Sequence, residues 1–347
     1  MSFEQIKELE PLLARIDALQ ARVDAAKAAE PDAYDRIMDS WAIESTYNSN
    51  NIEGSTLSLG DTALLYDGVQ VDGPIDDIRQ AEGGFAALRF LRKAVEDGDV
   101  FSKDLIKRAH ELAYAEARDP KTRGRYRDVE VEITGTDFQP TPAVFVPERM
   151  GELIASCAKT KRHPAITAAL FHLEFESIHP FVNANGRTGR LMSNFLLMKS
   201  GFEPVNIQAE SRARYIAAIR AFQEQDDPYP FVAFFCANLS ERLEKVLRLL
   251  SEEAEPAEGW GVSGIGSYLN ADEDAPKYHN DTLDDTLEGA ILVLLREDPS
   301  MPQAEIAKRV GKSLPTVKRA MKRLSEAGAI RRVGGKRFGK WEIDREG

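Results

Sequence analysis

Within thirteen residues, Ile178-His179-Pro180-Phe181-Val182-Asn183-Ala184-Asn185-Gly186-Arg187-Thr188-Gly189-Arg190, the chain sets one histidine among two asparagines, two glycines and two arginines. Such a set suits a phosphorylated ligand. Glycine tolerates positive φ and asparagine does so better than most residues, so Asn185 and Gly186 let the backbone wrap closely around an anion. Arg187 and Arg190 can reach back to phosphate. An imidazole beside such a nest can act as a general base, which makes His179 the candidate proton acceptor. Singly, a lone histidine is usually a packed structural residue and paired arginines usually lie on a solvated face; the combination carries the reading.

Two helices must hold this loop. Upstream, Ile166, Ala169, Leu170, Leu173 and Ile178 recur at helical spacing, and Pro180 disfavours further helix at His179, so the histidine sits at a helix end. Downstream, Leu191, Phe195, Leu196 and Met198 predict a second helix that stops at Ser200-Gly201. The loop between them therefore feeds a helix N-terminus, whose unpaired N–H groups invite an anion.

The segment resembles the signature of the Fic family, His-Pro-Phe-x-Asp/Glu-Gly-Asn-Gly-Arg-x-x-Arg, whose members transfer AMP from ATP to a protein hydroxyl. The resemblance implies that His179 deprotonates the target hydroxyl. It implies that Asn185, Gly186, Arg187, Gly189 and Arg190 hold the ATP phosphates, and that Phe181 anchors the loop in the core. The signature's acidic residue, which holds Mg²⁺, is replaced here by Asn183, a neutral amide that makes a weaker metal ligand. Ala184 replaces the usual glycine, as in the related Doc toxins. Gly186 stands where those toxins carry lysine, which separates this chain from their kinase-type chemistry.

A second stretch, Ser49-Asn50-Asn51-Ile52-Glu53-Gly54, resembles the inhibitory motif Ser/Thr-x-x-x-Glu-Gly/Asn of many Fic proteins. Ser49 and Glu53, four apart, share a helix face, and Gly54 suits the residue just beyond the helix. A Glu53 carboxylate paired with Arg190 would occupy the guanidinium that otherwise takes the γ-phosphate, and ATP would bind only unproductively. Some family members also run the reverse hydrolysis, which Glu53 would serve by positioning water.

The remaining chain reads as support. Residues 4–29 and 33–51 predict amphipathic helices separated by Glu30-Pro31-Asp32. Residues 55–123 are mostly helical, with Leu57-Ser58-Leu59-Gly60-Asp61 opening one helix and Glu82-Gly83-Gly84-Phe85 interrupting or bending another. His110, His163, His172 and His279 lack a second ligand at helical spacing and read as packing or surface residues. Val129 to Ile133 alternates like a strand, Thr134-Gly135 reads as a turn and Ala143 to Val146 as the return strand. That hairpin resembles the Fic flap, whose edge pairs with the target segment, and so places Thr136, Asp137 and Phe138 beside the target. Phe231 to Leu250 predicts a long helix, and Tyr215, near the start of the helix before it, reads either as core or as a nucleotide contact.

Residues 251–286 lose the pattern in favour of acidic and glycine residues and read as a linker. Helical runs at Leu287–Arg296, Pro302–Val310 and Leu314–Ala327 follow, then a hairpin through Gly334-Gly335, which together resemble a winged helix-turn-helix. Its recognition helix would carry Thr316, Lys318, Arg319 and Lys322 to a major groove, with Arg331, Arg332, Lys336 and Arg337 of the wing on phosphates.

Charge supports this division. From Met301 onward the chain carries thirteen Lys or Arg against five Asp or Glu, a balance of +8 that leaves −20 on the first 300 of its 347 residues. The N-terminus shows no signal-peptide pattern, no run is long enough to span a bilayer, and the two cysteines, Cys157 and Cys236, form no metal or disulfide framework. A cytoplasmic protein with no membrane partner is expected.

The fold expected is mainly α: N-terminal helices with the inhibitory motif (1–60), a Fic-type helical core with a β-hairpin flap (61–250), the linker (251–286) and a small winged-helix domain (287–347). The expected function is protein AMP transfer to a Ser, Thr or Tyr hydroxyl, this chain's own included, with ATP as substrate and Mg²⁺ as cofactor. The alternative is a DNA-binding regulator whose Fic core senses nucleotide without turning it over. The resemblance also admits a homodimer.

Overall fold

The structure is a computed structural model that describes residues 3–133, 136–254, 291, 294–295, 301–309, 314–326, 330–333 and 340–343. Cα packing divides the chain into two units, Met1–Leu269 and Asn270–Gly347. The linker read over 251–286 falls, apart from its first four residues, outside the described residues, as do His279, Gly334, Gly335, Lys336 and Arg337.

The first unit begins with α1 (Phe3–Ala29), which lies along α10 (Tyr229–Ala254). Helix α2 (Pro31–Ile52) opens on a proline, whose missing N–H costs nothing in a first turn, and ends before Gly54 at φ +98°. Helix α3 (Leu59–Tyr66) starts with a reciprocal cap: the Asp61 N–H donates to Ser58 Oγ and the Ser58 N–H to the Asp61 carboxylate. Then follow α4 (Ile75–Glu96), α5 (Lys103–Ala113) and α6 (Val146–Lys159). Helix α7 (Pro164–Ile178) is buried on most sides, as its nearly unbroken apolar sequence requires, and packs against α8 (Asn185–Lys199), α6, α9 (Arg212–Gln225) and α10. Helix α8 closes at Ser200 with Gly201 at φ +81°, as the sequence predicts.

Two expectations fail for identifiable reasons. Helix α4 runs unbroken through Gly83 and Gly84, because the glycine answers a packing demand. A Cβ on Gly83 would lie 2.6 Å from the Leu112 carbonyl oxygen at the end of α5. Nor do the described residues of the expected flap pair as a β-hairpin. Residues 129–133 form no ladder, Ala143–Phe145 is a 3₁₀ turn leading into α6, and among the described residues the one sheet lies in the second unit. The Arg127 guanidinium takes the carbonyls of Val129 and Thr141, so these acceptors are engaged by a side chain.

A buried polar cluster joins α1, α2, α10 and the chain after α8. Tyr34 Oη donates to Glu203 at 2.5 Å, Arg242 donates to its other oxygen at 3.1 Å, and the Glu203 N–H donates to Gln20 at 2.9 Å. Burial, reinforced by Glu203, raises the Tyr34 hydroxyl pKa.

In the second unit, α11 (Gln303–Arg309) and α12 (Leu314–Glu326) precede an antiparallel pair, β1 (Ile330–Val333) and β2 (Lys340–Ile343), with Arg332 opposite Trp341. Ile291, Leu295, Ile306, Val317, Met321, Leu324 and Ile330 form its core. Lys318 and Lys322 are exposed on α12, which also carries Thr316 and Arg319. Arg331 and Arg332 are exposed on β1, the Arg332 guanidinium 5.6 Å from the Trp341 ring centroid.

Removing one partner of a buried ion pair strands the other, so Glu203→Ala should cost about 3–5 kcal/mol in urea unfolding; a cost below about 1 kcal/mol would show that the cluster stabilises little.

Candidate active site

The loop between α7 and α8 is fixed from below. Phe181 is fully buried and stacks on His110, with ring centroids 3.7 Å apart and planes 4° from parallel. Gly124 donates its N–H to His110 Nδ1, so Nε2 carries the imidazole proton and donates to the Asn183 carbonyl at 3.1 Å. Burial pushes the His110 pKa down to about 3 and keeps this brace neutral. Of the two readings the sequence leaves for His110, packing or surface, the structure shows packing.

His179 ends α7 at φ 50°, ψ 60°, a left-handed conformation that costs a non-glycine residue about 1–2 kcal/mol. Its N–H donates to Phe175 O at 2.8 Å and its carbonyl accepts from Arg127 Nε at 2.8 Å. Nδ1 faces the Glu176 carbonyl at 3.3 Å; a carbonyl can only accept, so Nδ1 carries the proton and Nε2 keeps a free lone pair. Burial, opposed by the Glu176 carbonyl and reinforced by Arg127, pushes the imidazole down to about 4. At neutral pH, His179 is an unprotonated base.

Helix α8 begins at Asn185, after Ala184 at φ 58°, and the N–H groups of Asn185, Gly186 and Arg187 have no carbonyl within the helix to bond. They line a cavity of about 970 Å³ shared with His179, Asn183, Glu53 and Arg190. The side chains of this segment depart in part from the sequence reading. The Asn185 amide is spent on both backbone groups of Phe181, each at 2.9 Å, so only its main chain faces an anion. Arg187 is buried and braced by Glu116 and the Ala113 carbonyl. Gly189 is a packing glycine: a Cβ there would lie 2.9 Å from Glu176 and 3.0 Å from His172 on α7. Asn183 Oδ1 accepts the Ala184 N–H at 2.6 Å. Of the residues 129–138, Glu132 and Ile133 line the cavity, while Phe138 N–H turns back to Thr136 Oγ1 and the Asp137 carbonyl accepts from Gln139.

Arg190 meets the end of α2 as the sequence predicts. Its Nε donates to Ser49 Oγ at 3.0 Å, and Nη2 to Ser49 O at 2.9 Å and Glu53 Oε1 at 2.8 Å. From behind, Nη1 donates to Tyr215 Oη at 3.2 Å, which lies 2.7 Å from His172 Nε2. Tyr215 is therefore core and also the rear support of the guanidinium. Burial pushes the Glu53 carboxyl up, but Arg190 outweighs it and leaves the pKa below its ordinary value. Gly186 makes room for this contact, since a Cβ there would collide with Glu53 Oε1.

Sequence reasoning missed three residues here. Arg127 and Glu116 reach their partners from distant positions with no local pattern. Glu176 had a signal, being a carboxylate among the apolar residues of a buried helix, three residues before His179. Burial, opposed by Arg190, pushes its pKa up to about 8, and its Oε1 has no hydrogen-bond partner.

The folded chain therefore keeps the Glu176 proton up to about pH 8, whereas the unfolded chain releases it near pH 4.5. This group's contribution to stability is full below pH 4.5 and is lost as pH rises toward 8. The melting temperature of Glu176→Gln, measured against the parent, should climb between about pH 5 and pH 8. A constant difference would contradict a buried neutral carboxyl.

Comparison with known proteins accords with this geometry. Residues 100–197 match the family model "Fic/DOC family", and residues 284–331 match "Winged helix-turn-helix DNA-binding". The chain is 32% identical over 261 residues to protein adenylyltransferase Fic of Culex quinquefasciatus, covering 73% of this chain and 49% of that one. It thus spans about half the length of the curated relatives it matches. Fic-1 of Caenorhabditis elegans superposes with a TM-score of 0.63 at 28% identity, over 72% of this chain and 74% of that structure. A Fic family protein from Desulfovibrio desulfuricans shares the fold over 97% of both chains, with a TM-score of 0.57 at 24% identity. The helix-loop-helix that carries His179 and Arg190 thus lies in a Fic/DOC family domain, and a winged helix-turn-helix domain follows it in the chain.

Proposed function

We propose that this chain transfers AMP from ATP to a protein hydroxyl and is held inactive by Glu53. One observation carries the reading: a neutral His179, with Nε2 available, shares a cavity with the α8 N-terminus and with Arg190, which is gripped by Glu53. ATP fits the site by charge, and the relatives' printed activity, protein adenylyl transfer, supports the assignment.

In the proposed reaction His179 Nε2 takes the proton of a Ser, Thr or Tyr hydroxyl. The hydroxyl oxygen bonds to the α-phosphorus while the bond to the β-phosphate oxygen breaks, and pyrophosphate leaves. The N–H groups of Asn185, Gly186 and Arg187 face the phosphates, and Arg190, once released, takes the terminal one. The residues present do not fit a protein-held Mg²⁺. Asn183 offers a neutral oxygen already accepting the Ala184 N–H, and no cluster of three or more His, Cys, Asp or Glu able to hold a metal occurs among the described residues.

For the second unit the same reading is DNA binding, supported by the family match, by exposed Lys318 and Lys322 on α12 and by Arg331 and Arg332 on β1. Its binding to duplex DNA should weaken by about 10-fold or more between about 50 and 200 mM salt in a mobility-shift titration, and a salt-insensitive interaction would remove this part of the reading.

With ATP labelled at the α-phosphate, the parent should label protein weakly, Glu53→Gly about 10-fold or more strongly, and Glu53→Gly/His179→Ala not at all. Equal labelling by parent and Glu53→Gly would refute inhibition by Glu53; undiminished labelling without His179 would refute the base.

A further inference from the structure

Arg127 has its side chain fully buried, its nearest carboxylate is Glu130 at 3.5 Å, and it belongs to neither sequence motif. Its hydrogen bonds run almost wholly to main chain. Nε donates to His179 O at 2.8 Å, Nη2 to Ile178 O at 3.3 Å and also to Thr141 O, and Nη1 to Val129 O at 3.0 Å. The Arg127 N–H itself donates to Pro180 O at 2.9 Å.

We propose that Arg127 is a positioning residue for the reaction: its guanidinium locks the His179 backbone at the end of α7 and ties both arms of the segment bordering the cavity to it. The inference rests on the reading of His179 as the base.

The geometry explains why arginine is needed. The last carbonyls of α7 have no intrahelical donor, and they form the negative end of the helix dipole, so they share the compensation of this buried cation with the Glu130 carboxylate at 3.5 Å. Four carbonyls from three chain segments converge on one planar fork, which lysine's single ammonium cannot reproduce. His179 is left-handed, and its carbonyl direction sets where the imidazole points. With the Nε bond lost, the residue can relax toward ordinary φ and carry Nε2 away from the hydroxyl. The same fork holds Val129 and Thr141, so the chain flanking Glu132 and Ile133 shares the base's brace.

Arg127→Lys and Arg127→Gln, each in the full-length Glu53→Gly chain, test this with two readouts. In steady-state labelling with α-labelled ATP, kcat should fall about 100-fold with KM for ATP within about threefold, because the phosphate-binding groups are untouched while the base is misplaced. By NMR with labelled histidine, the His179 signal, assigned by its loss in His179→Ala, should titrate at higher pH in Arg127→Gln, since a neighbouring positive charge has gone. Glu53 is absent from both chains compared and Glu176 is common to them. A folded variant with unchanged kcat and unchanged His179 titration would overturn the proposal. Should Arg127→Gln melt below the assay temperature, Arg127→Lys decides: kcat retained overturns the proposal, and kcat lost at unchanged KM supports it. Absence of labelling by Glu53→Gly itself would refute AMP transfer, and the His179 titration would still judge Arg127.

Discussion

Arg190 is a buried cation, and a buried cation must be compensated wherever the chain places it. Its side chain is only 7% exposed, yet four of its five N–H groups are satisfied, by Ser49 twice, Glu53 and Tyr215. Much follows from that requirement. The end of α2 is drawn onto α8, because Ser49 and Glu53 supply the oxygens. Gly186 lacks a side chain where Glu53 would strike one, and Tyr215 and His172 stand behind the guanidinium. The Glu53 side chain is 40% exposed and lines the cavity, so on the proposed reading the compensation on that side can be exchanged for an entering anion. The rear support cannot. On the proposed reading such a site needs no separate switch, because the guanidinium that would take phosphate is the one that holds Glu53.

The histidine end of the loop is built oppositely, from groups that cannot exchange. Phe181 stacks on a neutral His110, the Asn185 amide clasps the Phe181 backbone, and Arg127 holds the carbonyls of Ile178 and His179. A left-handed His179 survives because these contacts over-determine it. On the proposed reading, catalytic precision and inhibitory reversibility are divided between two ends of one segment eleven residues apart, with His179 braced and Arg190 open to competition.

What was legible in the sequence was what is local. The signature and the Ser49–Glu53 spacing each lie within a few residues, and Pro180 marked the end of α7 as Gly201 marked the end of α8. The pairing of Glu53 with Arg190 was legible because it follows from charge once both motifs are seen. The partners of Arg187 and Asn183 were not, since Glu116 lies 71 residues from Arg187 and the Asn183 amide is captured by its own neighbour. The alternation of Val129 to Ile133 misled because a period of two signals extended backbone, not a paired strand, and its first carbonyl, Val129 O, is taken by Arg127. Gly83 and Gly84 misled likewise: a glycine pair reads as a break, yet here Gly83 admits the end of α5 and Gly84 admits Thr46 of α2.

The central claim is that Glu53 and the terminal phosphate compete for one guanidinium. Calorimetric titration of ATP and ADP into His179→Ala and into Glu53→Gly/His179→Ala tests it without turnover. If the two compete, Glu53→Gly tightens ATP by about tenfold or more and leaves ADP nearly unchanged, because only ATP carries the phosphate that reaches Arg190. Equal tightening of both nucleotides, or of neither, would contradict the claim.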